Sequence, residues 1–136
     1  MNTEMNTLDH SVNEQHQGMV KALVKDPVEI LKSLTPEKVD LLHATIGIVG
    51  EAGELLDAVK AHVIYNKPLD LANVLEEHGD SEFYWEHLRK NPLVMVTRIQ
   101  ALQDNLAKLA KRYENYRYSD QAAQSRADKA TPDNKT

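Results

Sequence analysis

Four carboxylates carry the most specific chemistry in this sequence. Glu51 and Glu54 stand three residues apart, and Glu77 and Asp80 repeat that spacing. On a helix, residues three apart lie about 60° apart around the axis and one turn along it, so each couple can aim at one point. Two such couples on antiparallel neighbouring helices can place four carboxylates around one pocket, where so much negative charge is tolerable only with cations between them. Carboxylate oxygens suit Mg²⁺, or Mn²⁺ in its place, hard ions that take about six oxygen ligands and keep several waters. All-oxygen sites of this kind suit phosphate chemistry, because the metal neutralises a polyphosphate and lowers the pKa of a bound water. A single Glu-x-x-Glu is common on exposed helices. Two in neighbouring helices still leave a solvated acidic face as the competing reading.

The surroundings add to the functional reading. Gly47, Gly50 and Gly53 fall inside the segment that carries the first couple, and Gly79 adjoins Asp80. Each costs up to about 1 kcal/mol relative to Ala in a helix interior, so their use is close approach of another helix or of a ligand. Charge is divided along the chain: residues 51–90 hold nine Asp/Glu against four Lys/Arg, whereas residues 91–118 hold two against five. Asn105, Lys108 and Arg112 recur at three and four on one helical face, where they can meet phosphate and sugar oxygens or form a solvated, ion-paired face. Lys60 and Lys67 are further cationic candidates. Tyr84, four residues after Asp80, shares its stripe and can stack on a base or pack at the pocket wall. Trp85 sits about 100° away, at a core or interface position. His43 is about three turns from Glu54 and cannot share its metal, which favours a structural role.

The elements that must position these groups read as helices throughout. Val39, Leu42, Ile46, Val49, Leu56, Val59 and Val63 follow a helical period, and Thr35-Pro36-Glu37 opens that helix, which should run to about Tyr65. Asn66-Lys67-Pro68 breaks it. Asp70 caps a further helix to about Lys90, ended by Asn91-Pro92, and another spans roughly Leu93 to Tyr113. Upstream, Met19 to Leu34 forms an amphipathic piece with a bend or restart at Asp26-Pro27. The expected fold is all-α, an antiparallel helical bundle of about four to five helices. Residues 1–17 are expected as a flexible arm or short helix, residues 18–118 as the catalytic domain, and residues 119–136 as a helical extension or disordered tail whose only aliphatic side chains are alanines.

With these residues placed, a resemblance becomes specific. Gly50-Glu51-Ala52-Gly53-Glu54-Leu55-Leu56-Asp57-Ala58-Val59-Lys60, then His62-Val63-Ile64-Tyr65, then Glu76-Glu77-His78-Gly79-Asp80 with Tyr84, resembles the MazG-like all-α nucleoside triphosphate pyrophosphohydrolases, especially their short single-domain phage and bacterial forms. Asn105 to Tyr113 resembles the last core helix of that family, and the likeness covers about residues 19–128. The resemblance implies a helical core that assembles into a homodimer or homotetramer. Its implied activity is cleavage of a nucleoside triphosphate between the α and β phosphates, giving monophosphate and pyrophosphate. It implies Glu51, Glu54, Glu77 and Asp80 as the Mg²⁺ ligands. Glu76 and Asp57 are then either orienting groups or solvated ones, and Glu54 is the first choice for the carboxylate that assists the attacking water. Two departures stand out: Ser81-Glu82 replaces a pair of apolar residues after Gly79-Asp80, and His78 stands where Leu is common.

Length, composition and charge limit the alternatives. The chain has 136 residues, enough for one domain with tails, and no Cys, which leaves no disulfide, thiolate nucleophile or Cys-based zinc site. Its apolar share of 41% is low for a fully packed chain. A net charge of −5 argues against sequence-independent nucleic-acid binding. No apolar run approaches a membrane span and the N-terminus lacks a signal-peptide layout, so a cytoplasmic protein is expected with no membrane partner. Two rivals remain: a phosphoribosyl-ATP pyrophosphohydrolase with the same metal logic, and a non-catalytic helical module whose acidic stripe binds a basic partner.

Overall fold

The computed structural model describes residues 2–129, with side chains from His10 onward. All regular structure among them is helical, as the hydrophobic periods require. The chain divides into two units, one up to Pro36 and one from Glu37 onward.

In the first unit, no Pro interrupts the chain before Pro27, and a single helix α1 (Asn2–Leu23) includes most of the segment expected as an arm. The boundary expected after residue 17 therefore falls inside a helix. Pro27 disfavours helical backbone at Asp26 and supplies no N–H, so the chain turns and restarts as α2 (Pro27–Ser33). Asp26 caps the restart, its Oδ1 accepting the Val28 N–H at 2.8 Å.

The second unit contains α3 (Pro36–Val63), α4 (Leu71–Lys90), α5 (Arg98–Arg112), a 3-10 turn (Glu114–Tyr116), α6 (Asp120–Ser125) and a 3-10 turn (Ala127–Lys129). Helices α3 and α4 form an antiparallel hairpin whose register is readable from side-chain contacts. At its far end Asp40 Oδ1 meets His87 Nε2 at 2.6 Å, and Asp40 Oδ2 accepts from Asn91 Nδ2 at 2.8 Å. Asn91 Nδ2 also donates to the Glu37 carbonyl, and Asn91 Oδ1 accepts the Leu93 N–H. Midway, the Tyr84 ring lies against the bare backbone of Gly47 and meets His43 edge-on, centroids 6.1 Å apart. Eleven residues beyond Asp40 on α3 comes Glu51, and eleven back from His87 on α4 comes Glu76, beside Glu77. The far-end network thus sets which carboxylates face one another.

The turn between the helices is equally determined. Asn66 takes a left-handed conformation (φ 51°), the Lys67 N–H donates to the Ala61 carbonyl, and His62 Nδ1 donates to the Lys67 carbonyl at 2.8 Å. Asp70 then caps α4 by accepting the Asn73 N–H.

Helix α5 starts five residues later than the expected Leu93. Asn91 accepts backbone N–H groups of Leu93 through its side chain and of Val94 and Met95 through its carbonyl. Met95 is left-handed (φ 45°), and Thr97 Oγ1 caps the new start at Gln100. Glu82, the polar departure noted in the sequence, lies 3.7 Å from both Arg89 Nη2 and Arg98 Nη2, so its carboxylate links α4 to the first residue of α5. The C-terminal extension is docked on α5: Asp128 accepts from Arg112 Nε at 2.6 Å and Nη2 at 2.7 Å. The rest of that expected tail, residues 130–136, lies outside the described residues.

Little of this surface is covered. Among the described residues the one fully buried apolar residue is Ala44, while Val39, Leu42, Ile46, Val49, Leu56 and Val63 are each at least half exposed. Those six recur at the a and d positions of a heptad along α3, a stripe suited to another helix.

Candidate metal centre

Three of the four expected ligands converge. Carboxylate oxygens of Glu51, Glu77 and Asp80 all lie within 4.8 Å of one another, Glu51 half-buried, Glu77 5% exposed and Asp80 exposed. The two helices contribute through their periods: Glu77 occupies the face of α4 turned to α3, and Asp80 follows one turn later beside it. Glu54, the fourth expected ligand, is outside this group of three but close enough that its charge acts on Glu77.

The electrostatics follow from burial and like charge. Desolvation pushes the Glu77 carboxyl above its ordinary range, reinforced by a hydrogen bond with Glu51 and by the charges of Glu54, Glu51 and Glu76. Without a cation, this repulsion favours the neutral form of Glu77. A divalent ion would favour its charged form instead. The donor set is oxygen only, which fits Mg²⁺ or Mn²⁺ and gives no support to a soft metal.

Beside the triad lies a cavity of about 570 Å³ between the C-terminal end of α3 and the start of α4, lined among others by Glu54, Asp57, Lys67, Asn73 and Glu77. Its size is within the range of small-molecule sites, roughly 300–1,000 Å³. Asp57 thus flanks the site, while Lys60 points its ammonium to within 3.9 Å of Asp57. Glu76 is exposed.

The remaining expected site residues are placed differently. Arg112 is committed to Asp128, whose side chain is 2% exposed, and is thereby taken up by a structural ion pair. The ion-paired alternative stated for its face holds for this residue. Asn105 and Lys108 are exposed on α5, and no hydrogen bond or ion pair joins them to the acidic triad among the described residues. Tyr84 is half-buried with its ring against Gly47, at the wall of the hairpin. His43 meets Tyr84 and His87 edge-on, in keeping with a structural role.

Sequence reasoning missed two things. Asn91, 1% exposed, was legible as a helix terminator, yet it is also the polar clamp that joins α4 to Glu37 and Asp40. Asp128 carried no signal as the partner of Arg112. Lys67, named with Lys60 as a further cationic candidate, lies in the lining of the cavity. Comparison of the chain with protein-family models, with curated proteins and with solved structures finds no match.

Proposed function

We propose that this chain is a Mg²⁺-dependent nucleotide pyrophosphohydrolase that cleaves a nucleoside triphosphate to its monophosphate and pyrophosphate. The observation that carries the reading is the convergence of Glu51, Glu77 and Asp80 from two antiparallel helices onto one point, with Glu77 buried against its like-charged neighbours. The resemblance in the carboxylate motifs points the same way. Bound Mg²⁺ would supply charge neutralisation of the phosphates and a water of lowered pKa.

The residues divide the work by position. Glu51, Glu77 and Asp80 hold the cation. Glu54 lines the adjoining cavity without belonging to the converging three, which leaves its carboxylate to take a proton from the attacking water. Water adds to phosphorus in line, the α–β anhydride bond breaks, and its electron pair leaves with pyrophosphate. Asn105 and Lys108, exposed on α5, are the residues assigned to the phosphates or sugar. The exposed heptad stripe on α3 supports assembly as a homodimer or homotetramer. No helix among the described residues is long and apolar enough to cross a membrane.

The test is a panel of ribo- and deoxyribonucleoside triphosphates, with phosphoribosyl-ATP included, incubated with Mg²⁺ and resolved for both products. Monophosphate and pyrophosphate are expected from at least one triphosphate, with turnover lost by at least about 100-fold in Glu77→Gln at unchanged helicity. Turnover confined to phosphoribosyl-ATP assigns the rival enzyme. Orthophosphate as first product rejects the cleavage position, and absence of both turnover and any Mg²⁺-induced rise in melting temperature leaves the interaction module.

A further inference from the structure

The turn between α3 and α4 has a construction that capping alone does not require. His62 Nδ1 donates to the Lys67 carbonyl at 2.8 Å, the Lys67 N–H donates to the Ala61 carbonyl at 3.2 Å, and Asn66 between them adopts φ 51°. A non-glycine residue in left-handed backbone is disfavoured, although Asn tolerates it better than most. Both backbone polar groups of Lys67 are therefore engaged, and its position relative to α3 is set. Lys67 lines the 570 Å³ cavity that Glu54 and Glu77 also line.

Charge makes this placement informative. Among the described residues that line the cavity, Lys67 is the one cation, facing Glu54, Asp57, Asp70 and Glu77. No carboxylate oxygen among the described residues lies within 4.0 Å of its ammonium, unlike Lys60, which is 3.9 Å from Asp57. Asp70 has its own task, accepting the Asn73 N–H at the start of α4. A lysine in the lining of an acidic cavity, its ammonium not paired there, is available to an anion that arrives with its own cation.

We infer that Lys67, held in place by His62, is a phosphate-binding residue, contacting the polyphosphate chain of a ligand whose metal sits at Glu51, Glu77 and Asp80. The inference rests on the function proposed above and adds to it a residue from the turn rather than from α5. Lys67 is the binding residue, and His62 is a positioning residue that acts through the Lys67 backbone. Loss of the ammonium should weaken polyphosphate binding by about tenfold or more, the usual scale for one charge-assisted contact.

The experiment measures binding of inorganic tripolyphosphate in Mg²⁺ by calorimetry at fixed ionic strength, which needs no turnover. Wild type, Lys67→Met, Lys67→Arg, His62→Ala and Lys90→Met are compared, the last removing a charge that pairs with Glu86 elsewhere on α4. Expected are a Kd raised at least about tenfold in Lys67→Met, recovery to within about threefold in Lys67→Arg, an intermediate loss in His62→Ala and no change in Lys90→Met. In wild type, Mg²⁺-tripolyphosphate should also protect Lys67 from amine acetylation, read by mass spectrometry, a measurement independent of whether any variant folds. If wild type binds but Lys67→Met matches Lys90→Met and Lys67 is not protected, the inference falls while the pyrophosphohydrolase reading stands. If wild type binds no tripolyphosphate with Mg²⁺, both fall.

Discussion

Replacing Gly47 by Ala tests the hairpin packing on which the convergence of Glu51, Glu77 and Asp80 depends. A Cβ added there would lie 2.2, 2.3 and 2.4 Å from Cδ1, Cε1 and Cγ of Tyr84. Carbon atoms sit comfortably at about 3.5–4.0 Å, so the ring must retreat by more than about 1 Å. Because Cγ at the root of the ring is among the three and lies on the Cβ–Cγ axis, turning the ring about that bond cannot relieve the overlap. Ala is favoured over Gly in a helix by about 1 kcal/mol, whereas overpacking costs roughly 1–3 kcal/mol and sometimes more. A clash of this depth belongs at the upper end, for a net loss of about 2 kcal/mol. In a unit of this size that lowers Tm by roughly 8–16 °C, taking 4–8 °C per kcal/mol. Gly50, Gly53 and Gly79 provide the contrast: nothing lies within 4 Å of a Cβ at any of them, so Ala should raise Tm at each. Thermal melts followed by circular dichroism on the four single variants decide the matter, with Gly47→Ala/Tyr84→Ala recovering part of the loss by removing the ring. A Gly47→Ala protein that melts at or above wild type would refute the packing described here. Gly50→Ala or Gly53→Ala proteins that melt higher yet lose Mg²⁺-dependent turnover would show that open space at these positions serves a ligand or a second copy.

Three further outcomes follow from the same geometry. Light scattering after size exclusion should give a mass that is a multiple of 15.4 kDa, and Ile46→Glu/Val49→Glu on the exposed stripe should return the single-chain mass; a wild-type monomer at 100 µM rejects the stripe as a self-association surface. On acidification, Asp128 is held down at about 2 by its hydrogen bonds with Arg112, and Asp40 is lowered by His87 and Asn91, so the stability they contribute is complete above their ordinary value of 3.8 and is lost as pH falls through the depressed values. Asp128→Asn should flatten the dependence of Tm on pH between about 4 and 2, and an unchanged slope would count against the ion pair. Glu77 has the opposite sign: its carboxyl is raised, so ion-free protein loses stability as pH rises through that value, and Mg²⁺ should abolish this loss.

Local signals were legible where one residue type dictates the backbone. Pro27 and Pro36 each occupy the first position of a helix, Asp70 caps α4, and the helix that follows it ends at Lys90 as Asn91-Pro92 requires. The carboxylate spacing was legible for the same reason, since three residues on a helix always share a face. What spacing cannot supply is register. Asn91 reads as a stop signal because Pro92 follows it, and nothing local indicates that its side chain will bond Glu37 and Asp40, more than fifty residues upstream. The same difficulty hid the partner of Arg112: a helical face with Asn105 and Lys108 suggests a ligand surface, but Asp128, sixteen residues on, returns to that face through a connection with left-handed backbone at Asn115, Tyr116 and Arg126.

Register also determines how much the Glu-x-x-Glu and Glu-x-x-Asp motifs mean by themselves. From Asp40 to Glu51 is eleven residues, about 16 Å of helix, so the clamp that aligns the hairpin lies far from the carboxylates it aligns. A slip of one turn between α3 and α4 would move Glu51 about 5 Å along the axis, more than the 4.8 Å within which the three groups now meet. It would also carry Tyr84 away from Gly47, the one helical glycine where a side chain already fills the space of a Cβ. The clamp and the ring therefore select the same alignment from two separate places, one polar and one steric. Convergence of like charges around Glu77 is unfavourable without an ion, and it is held against that repulsion by contacts that take no part in binding the ion. The acidic triad is in this sense prepared by the hairpin, and the carboxylate motif becomes a candidate site only where such a register lock accompanies it.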